Sequence, residues 1–270
     1  KEYRRQRQMC IRDRVKELRE RTGISMMDCK SALVETDGDI DKAIEVLRKK
    51  SVLKAEKKSG RATNEGAIVV GESGDTHFIV EVDTETDFAA KDKDFQEFLH
   101  ELVSFCETNN PENLETLNEA YKENLLAIIQ KIGENIKISF YEKLERQSGL
   151  VSTYKHSDNK LAAIVHLDGG TDQMARDIAM QVAANNPMAI YPDDIDDGVI
   201  AKEKEIAEAT LVNDNKPEDI KIKIIEGKLN KFKTENSLVE QPFIKDPDKK
   251  IKDLLGDVKI LRFIRKKVGE

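Results

Sequence analysis

Gly66-Ala-Ile-Val-Val-Gly71 decides the fold, because it begins a pattern that returns at Gly149-Leu-Val-Ser-Thr-Tyr154. In both places a polar turn leads to a second apolar run that ends in Asp, Thr76–Asp83 in the first copy and Leu161–Asp168 in the second. Two short apolar runs joined by a polar turn predict a β-hairpin. A Thr-Asp pair and a helical pattern ending at Asn-Asn-Pro follow each hairpin. The sequence therefore predicts a duplicated α+β unit with antiparallel sheets.

Each copy needs further elements to complete it. In the first copy, Leu114–Ile132 has a helical pattern and Ile136–Glu145 that of a third strand. In the second copy, Ile251–Leu255 and Val258–Val268 follow only after an insertion. We place the first core subdomain at residues 65–147, the second at 148–191 and 246–270, and the insertion at 192–245.

The insertion contains two amphipathic segments on either side of a polar turn at residues 213–217. Val199–Leu211 and Asp219–Thr234 both have apolar residues at helical spacing. A short turn between two such segments predicts an antiparallel helical hairpin. An arm of this kind is more often a protein contact, including a dimer contact, than a chemical site.

A small helical domain is predicted before the repeat, at residues 15–52. The first of its three helices begins near Val15, and the other two begin after Ser25 and after Asp39. Ser and Asp have side chains that are common at helix N-caps. Its core is small, which favours a docking module over a catalytic one. Met26 and Met27 are adjacent, so a helix cannot bury both on one face. The exposed one is either an adaptable contact for a partner or an incidental surface residue.

Two polar segments flank this domain. Residues 1–14 carry a net charge of +4 from six basic and two acidic residues, and we interpret them as a disordered or non-native tail. Residues 53–64 are basic and contain Ser59-Gly60, which is typical of a solvated linker.

Composition excludes several classes of function. The chain has 45 Lys plus Arg against 52 Asp plus Glu, and a net charge of −7 disfavours binding to nucleic acid. No apolar run approaches the ~20 residues of a membrane span. Three dispersed cysteines, Cys10, Cys29 and Cys106, suit a reducing cytoplasm and form no metal cluster, and we interpret each as a buried apolar side chain. No phosphate-binding loop, nucleophile elbow or metal-ligand spacing is present, so we predict a protein without cofactor or metal that is not an enzyme.

The two Thr-Asp pairs differ in the residue that follows them. Thr86-Asp87 precedes Phe88, whereas Thr171-Asp172 precedes Gln173. Since the pair occurs in both copies, it is typical of a turn and helix cap. Phe88 either packs into its own core or projects as a wedge towards a partner.

Three separated motifs resemble those of the elongation factor Ts family, the guanine-nucleotide exchange factors of elongation factor Tu in bacterial translation. They are Thr22-Gly-Ile-Ser-Met-Met-Asp-Cys-Lys-Ser-Ala-Leu33 with Gly38–Glu45, then Glu85-Thr-Asp-Phe-Ala-Ala-Lys-Asp92, then Ser237-Leu-Val-Glu-Gln-Pro-Phe243. The resemblance runs from Val15 to near the C-terminus. It implies a ubiquitin-associated-like three-helix domain, two related core subdomains and an inserted coiled-coil hairpin.

The resemblance also implies roles for individual residues. Residues matching Met26 and Met27 dock the factor on its partner, and the residue matching His156 faces the partner. Residues matching Thr86, Asp87, Phe88 and Ala89 reach the partner's nucleotide site and dislodge its magnesium. The family often has Val where this sequence has Ala89.

Three functions follow as hypotheses. The first is an exchange factor that binds GDP-bound and nucleotide-free elongation factor Tu. The second is a binding module or chaperone of that factor without exchange activity. The third is a hydrolase or transferase that uses the acidic loops, and it predicts turnover of a small substrate without any partner.

Overall fold

The structure is a computed structural model that describes residues 2–211 and 217–270. Its first three helices are α1 (Glu2–Thr22), α2 (Met26–Glu35) and α3 (Ile40–Lys58). Oγ of Ser25 accepts the amide of Asp28 at 3.2 Å, and Oδ1 of Asp39 accepts that of Lys42 at 3.1 Å, so both predicted N-caps are confirmed. The three helices enclose a common core of Val15, Leu18, Ile24, Cys29, Ala32, Leu33, Ala43 and Leu47. The likeness to ubiquitin-associated domains stays a prediction.

The helical domain extends further towards the N-terminus than the sequence indicated. Helix α1 begins at Glu2, where a disordered or non-native tail was predicted over residues 1–14. Glu2–Thr22 contains neither Gly nor Pro and is rich in Arg, Gln and Glu, so extending the helix costs little at each residue. Helix α3 ends at Lys58, as the helical pattern after Asp39 predicts, so the first residues of the linker placed at 53–64 are helical.

The first copy of the repeat consists of a sheet and four helices. Its elements are β1 (Glu65–Ser73), β2 (Thr76–Thr84), α4 (Asp87–Lys91), α5 (Lys93–Asn109), α6 (Leu114–Ala120), α7 (Lys122–Ile132) and β3 (Ile136–Glu145). The predicted helix Leu114–Ile132 is interrupted at Tyr121, whose buried ring lies 5.6 Å from the ring of Phe98 and 4.9 Å from that of Phe105. The aromatic contacts hold this residue in place between α6 and α7.

The second copy repeats this plan around the insertion. Its elements are β4 (Leu150–Lys155), β5 (Leu161–Leu167), α8 (Asp172–Asn185), α9 (Asp197–Ala209), α10 (Glu218–Asn236), β6 (Pro242–Phe243), β7 (Asp246–Lys250), α11 (Ile251–Leu255) and β8 (Ile260–Lys267). Strands β4 and β5 pair antiparallel from Leu150 opposite Leu167 to Lys155 opposite Ala162. The two sheets have the orders β1-β2-β3 and β4-β5-β8, which confirms the predicted duplication.

Two glycines hold equivalent positions in the two hairpins. A Cβ at Gly66 would collide with the carbonyl oxygen of Val82, and one at Gly149 with the carbonyl oxygen of Leu167. Both residues have positive φ, 149° and 78°. Only glycine allows this close approach of the two strands, which explains why each copy opens with it.

The insertion forms the predicted pair of helices, α9 and α10, which pack against each other. The turn predicted at residues 213–217 lies outside the described residues except for Pro217, which directly precedes α10. Apolar side chains remain at the surface of this helical hairpin, notably Ile206, Ile220 and Ile222.

The chain divides into two compact units. Unit 1 contains Lys1–Ser73, Val80–Glu142 and Lys267–Glu270, and unit 2 contains Gly74–Ile79 and Lys143–Lys266. The helical domain and most of the first core subdomain therefore share unit 1. Most of the second core subdomain and the whole helical hairpin belong to unit 2.

Candidate functional site

The segment Thr86–Ala89 follows β2, which ends at Thr84, and contains the N-cap and the beginning of the short helix α4. Thr86 is extended, with φ −129° and ψ 158°, and its Oγ1 accepts the amide of Ala89 at 3.2 Å. Its carbonyl oxygen accepts the hydroxyl of Thr84 at 2.8 Å. Thr86 is thus the N-cap of α4, as the pattern predicted, and both its side chain and its backbone are engaged.

The side chain of Phe88 lies outside this turn and not in the core. It is 81% exposed, whereas Ala89 beside it is 4% exposed. Helix α4 buries Ala89 and Ala90, so the position between Asp87 and Ala89 points away from the core. The structure therefore excludes the alternative in which Phe88 packs into its own core, and its role as a wedge towards a partner stays a prediction. The buried Ala89 supports the turn from beneath.

Asp87 lies next to Phe88 with its side chain about half exposed. One of its oxygens lies 2.8 Å from Nζ of Lys91, one helical turn later. This hydrogen bond and ion pair raise the pKa of Lys91 above its ordinary value. Asp87 therefore carries a negative charge beside Phe88, with a cation close to it.

A pair of glutamates holds the turn from the side. Oε1 of Glu134 accepts the hydroxyl of Thr86 at 2.7 Å, and its Oε2 accepts the amide of Thr86 at 3.0 Å. In return, Oε1 of Glu85 accepts the amide of Asn135 at 2.6 Å. Glu134 and Asn135 were not among the site residues predicted from the sequence. Their place directly before β3, after the left-handed Gly133 that ends α7, is the signal that could have drawn attention to this turn.

Met26 and Met27 are both exposed on α2, at 56% and 73%. The opposite face of α2 buries Cys29, Ala32 and Leu33, which leaves no core position for either methionine. The prediction that at least one of them is exposed is confirmed. The two thioethers form an apolar surface at the beginning of the helix.

His156 follows β4, at the beginning of the turn to β5. Its side chain is about half exposed, and its Nδ1 lies 3.0 Å from Oδ1 of Asp158. The amide of Lys160 and then the ring of His156 hold the pKa of Asp158 below its ordinary value. His156 belongs to unit 2, whereas Met26, Met27 and Thr86–Ala89 belong to unit 1.

The same position in the second copy has a different environment. Oγ1 of Thr171 accepts the amide of Met174 at 3.2 Å, so Thr171 caps α8 as Thr86 caps α4. Gln173, which corresponds to Phe88, donates to Oδ1 of Asp177 at 2.9 Å. Val258 lies where the first copy has Glu134, two residues before the third strand.

The described residues offer neither a metal centre nor a membrane span. No group of three or more His, Cys, Asp or Glu in the described part of the chain is arranged to hold a metal ion. None of the described helices is both long and apolar enough to cross a membrane.

Cys29 and Cys106 are buried free thiols. Burial raises the pKa of Cys106 to about 12 and that of Cys29 above its ordinary value, so both stay protonated at neutral pH. They agree with the predicted buried apolar side chains. The prediction for the side chain of Cys10 lies outside what the structure describes.

Comparison with known proteins gives one consistent result. A sequence profile of the family described as "Elongation factor TS" matches residues 85–270. Proteins named elongation factor Ts match 95% of the chain. That of Hahella chejuensis is 45% identical over 91% of its own length, that of Marinobacter nauticus 47% over 90%, and that of Clostridium kluyveri 40% over 92%. The chain therefore belongs to the elongation factor Ts family of translation elongation factors.

Proposed function

We propose that this protein binds GDP-bound elongation factor Tu and promotes the release of GDP, so that GTP can bind in its place. The turn Thr86–Ala89 reaches the nucleotide site of the partner and disturbs its magnesium ion. Within this turn, Phe88 and Asp87 make the contact, while Thr86 and Ala89 hold the backbone. The factor then remains on the nucleotide-free partner until a new nucleotide enters.

The observation that carries this proposal is the exposure of Phe88 on a turn whose other side chains are engaged. Phe88 is 81% exposed, whereas phenylalanine side chains are usually buried. The turn beneath it is capped, bonded to Glu134 and backed by two buried alanines. A large apolar side chain on a fixed support is suited to enter a gap between side chains of another protein.

The chemistry of exchange needs no nucleotide pocket on this chain. Mg²⁺ bridges phosphate oxygens and supplies a large part of the affinity for the nucleotide. A factor that binds the nucleotide-free partner more tightly than the GDP-bound partner must weaken GDP binding by the same factor. We therefore propose a protein that is not an enzyme and needs no cofactor, and that acts in the cytoplasm where translation takes place.

Docking is assigned to residues away from the wedge. Met26 and Met27 provide a flexible apolar contact, a kind of surface that adapts well to a partner helix. His156, exposed at the turn between β4 and β5, gives a second contact from unit 2. These contacts supply affinity, and the turn at Phe88 supplies the effect on the nucleotide.

The helical hairpin is proposed as a contact between two copies of the chain. Ile206 on α9 and Ile220 and Ile222 on α10 are exposed apolar side chains on one arm. The apparent mass in sedimentation at rising concentration tests this. If the mass stays that of one chain, the helical hairpin does not join two copies, and only contacts with other molecules remain for it.

The test of exchange is the release of a fluorescent GDP analogue from elongation factor Tu at fixed magnesium, with and without this protein. Binding is measured separately with a labelled chain, so that docking and exchange are distinguished. We expect release to accelerate with protein concentration until it saturates. Binding without acceleration would leave a chaperone or binding module of the translation factor, and turnover of a small substrate without any partner would favour the hydrolase or transferase.

A further inference from the structure

Two turns that are far apart in sequence are joined by reciprocal carboxylate bonds in unit 1. Glu134 accepts both the amide and the hydroxyl of Thr86, at 3.0 and 2.7 Å. Glu85, the neighbour of Thr86, accepts the amide of Asn135 at 2.6 Å. Each turn therefore provides a carboxylate acceptor and also donates to the carboxylate of the other turn. The distance between the two turns is thus fixed at two points. We call this set of four residues, Glu85, Thr86, Glu134 and Asn135, the glutamate clamp.

The bonds of the glutamate clamp are of the strong kind. Hydrogen bonds to an ionised carboxylate are shorter and about twice as strong as bonds between neutral groups. All four residues are at least partly removed from water, with Asn135 buried, so solvent competes weakly. Thr86 also caps α4, so its position sets the direction in which that helix starts. Phe88 lies two residues after Thr86 in α4, so the direction of the helix also sets where the side chain of Phe88 projects.

The glutamate clamp also binds the segment after α3, which connects the helical domain to the first core subdomain. Nδ2 of Asn135 donates to the carbonyl oxygens of Arg61 at 3.0 Å and of Ser59 at 3.4 Å. Nη1 of Arg61 lies 3.2 Å from Oε1 of Glu85, and Nζ of Lys58 donates to the carbonyl oxygen of Gly133 at 2.5 Å. The segment after α3, predicted as a solvated tether, is thus fastened to the same two turns as the base of Phe88.

The second copy shows that the scaffold does not need a glutamate at the position of Glu134. The side chain of Thr171 makes only its cap bond within the described residues, to Met174. Val258 replaces the glutamate, and its methyl groups lie within 3.7 Å of the position that a Cβ at Gly170 would take. In this copy Oδ1 of Asp168 accepts the amide of Lys259 at 2.7 Å, as Glu85 accepts that of Asn135, and the copy still builds the same sheet. The two bonds between Glu134 and Thr86 are therefore an addition of the copy that carries Phe88.

We propose that Glu134 is a positioning residue for nucleotide exchange. It touches neither the nucleotide nor the partner. It holds Thr86 through two bonds, so that Phe88 is already aimed when the docking domain binds, and no ordering cost is added at the moment of contact. This inference rests on the proposed exchange function and adds a residue to it that acts through the turn.

The experiment compares Glu134→Ala, Glu134→Gln and a matched control in the release of the fluorescent GDP analogue. Glu119→Gln, on the exposed face of α6, removes a carboxylate that makes no bond to another described side chain. We expect Glu134→Ala to lower the maximal rate of release about tenfold, the equivalent of about 1.4 kcal/mol, because Phe88 is then no longer held in place before contact. The half-saturating concentration should change less than twofold. Glu134→Gln keeps one oxygen and should give an intermediate rate. Glu119→Gln should match the wild type.

A second arm separates positioning from general damage. Adding Glu134→Ala to Phe88→Ala should change the rate little, because the clamp acts through Phe88. Hydrogen exchange of the Thr86 amide should be faster in Glu134→Ala while the amides of the β4–β5–β8 sheet stay protected. Fully additive effects on the rate, or a change in the half-saturating concentration alone, would overturn the proposal.

Failure of this inference is distinguishable from failure of the proposed function. A wild-type chain that binds elongation factor Tu without accelerating release overturns the exchange function and the role of Glu134 with it. A wild-type chain that accelerates release while Glu134→Ala equals Glu119→Gln overturns only the role of Glu134.

Discussion

The two copies of the α+β unit share a scaffold and differ in what they display. Both open with a glycine that lies against the partner strand, and both cap the following helix with a Thr. A left-handed Asn ends the helical segment in each copy, Asn110 after α5 and Asn186 after α8. At the turn itself, one copy has the exposed Phe88 and the glutamate clamp, and the other has Gln173, Gly170 and Val258. A duplicated fold can thus carry a function in one copy through a few residues while the other keeps the architecture.

The largest effect is expected where the copies are alike. Gly66→Ala and Gly149→Ala each place a Cβ against a carbonyl oxygen of the neighbouring strand. Each should lower the free energy of unfolding by about 3 kcal/mol, since backbone atoms cannot move aside cheaply. Urea denaturation measures this. Gly74→Ala is the control for the collision, because Gly74 also has a positive φ, +60°, but no atom lies within 4 Å of the added Cβ. It should cost only the backbone strain of about 1 kcal/mol. If only one of the two substitutions lowered the free energy of unfolding, the two glycines would not have equivalent roles in their hairpins.

The next effect is expected where the copies differ most. Phe88→Ala should slow the release of GDP from elongation factor Tu by about 30-fold, the equivalent of about 2 kcal/mol for a central aromatic contact. Its free energy of unfolding should stay within about 0.5 kcal/mol of the wild type, because an exposed side chain contributes little to the core. Gln173→Ala is the matched control and should leave release unchanged. Equal effects of the two variants would contradict the assignment of function to the first copy.

The two caps give a smaller and sharper comparison. Thr171→Ala removes one cap bond and should cost about 1 kcal/mol. Thr86→Ala removes a cap bond and a bond to Glu134, so it should cost about 2 kcal/mol. Thermal unfolding of the two variants side by side measures the difference. Equal losses would mean that the hydroxyl bond to Glu134 contributes no stability.

The smallest effect concerns the aspartates that end the second strand of each hairpin. Burial and the charge of Glu81 raise the pKa of Asp83 above 3.8, whereas Asp168 is exposed and accepts the amide of Lys259 at 2.7 Å. The folded state therefore holds the proton of Asp83 to higher pH than the unfolded chain does. Stability from this group is present at acidic pH and is lost as the pH rises through the raised pKa.

Replacement of each aspartate tests this reasoning. Asp83→Asn should raise the free energy of unfolding at pH 7, and the gain should fade as the pH falls towards 3.8. Asp168→Asn should give no such gain, because its carboxylate is exposed and bonded. Denaturation at a series of pH values measures both. A gain for Asp83→Asn that does not vary with pH would show that the buried charge of Asp83 is not its cause.

Much of the fold could be predicted because its signals are local. The repeat, the caps at Ser25 and Asp39 and the third strand Ile136–Glu145 are read from short patterns of residue type. The hairpin of β6 and β7 was not predicted, because Asp246-Pro-Asp-Lys-Lys250 is polar throughout and resembles a loop. Its strand pairing depends on the surrounding structure, to which a short window of sequence gives no access.

The candidate site was predictable only in part, for a similar reason. The motif around Phe88 is contiguous, so its residues could be named from the sequence. Whether Phe88 is buried depends on which face of α4 packs on the core, and Ala89 and Ala90 decide that. The partner of Thr86 lies 48 residues away, at Glu134, and a single sequence contains no signal that couples two such positions.

The last residues of the chain have a consequence for the order of its synthesis. The amide of Gly269 donates to Oε1 of Glu81 at 3.0 Å, across 188 residues, and Lys267–Glu270 belong to unit 1. At a synthesis rate of about 5–20 residues per second, those 188 residues take about 10–40 s to make. The ribosome must therefore make nearly all of unit 2 before Gly269 can bind Glu81 and complete unit 1. A factor that belongs to the translation machinery thus has its first unit incomplete while these 188 residues of its own chain are translated.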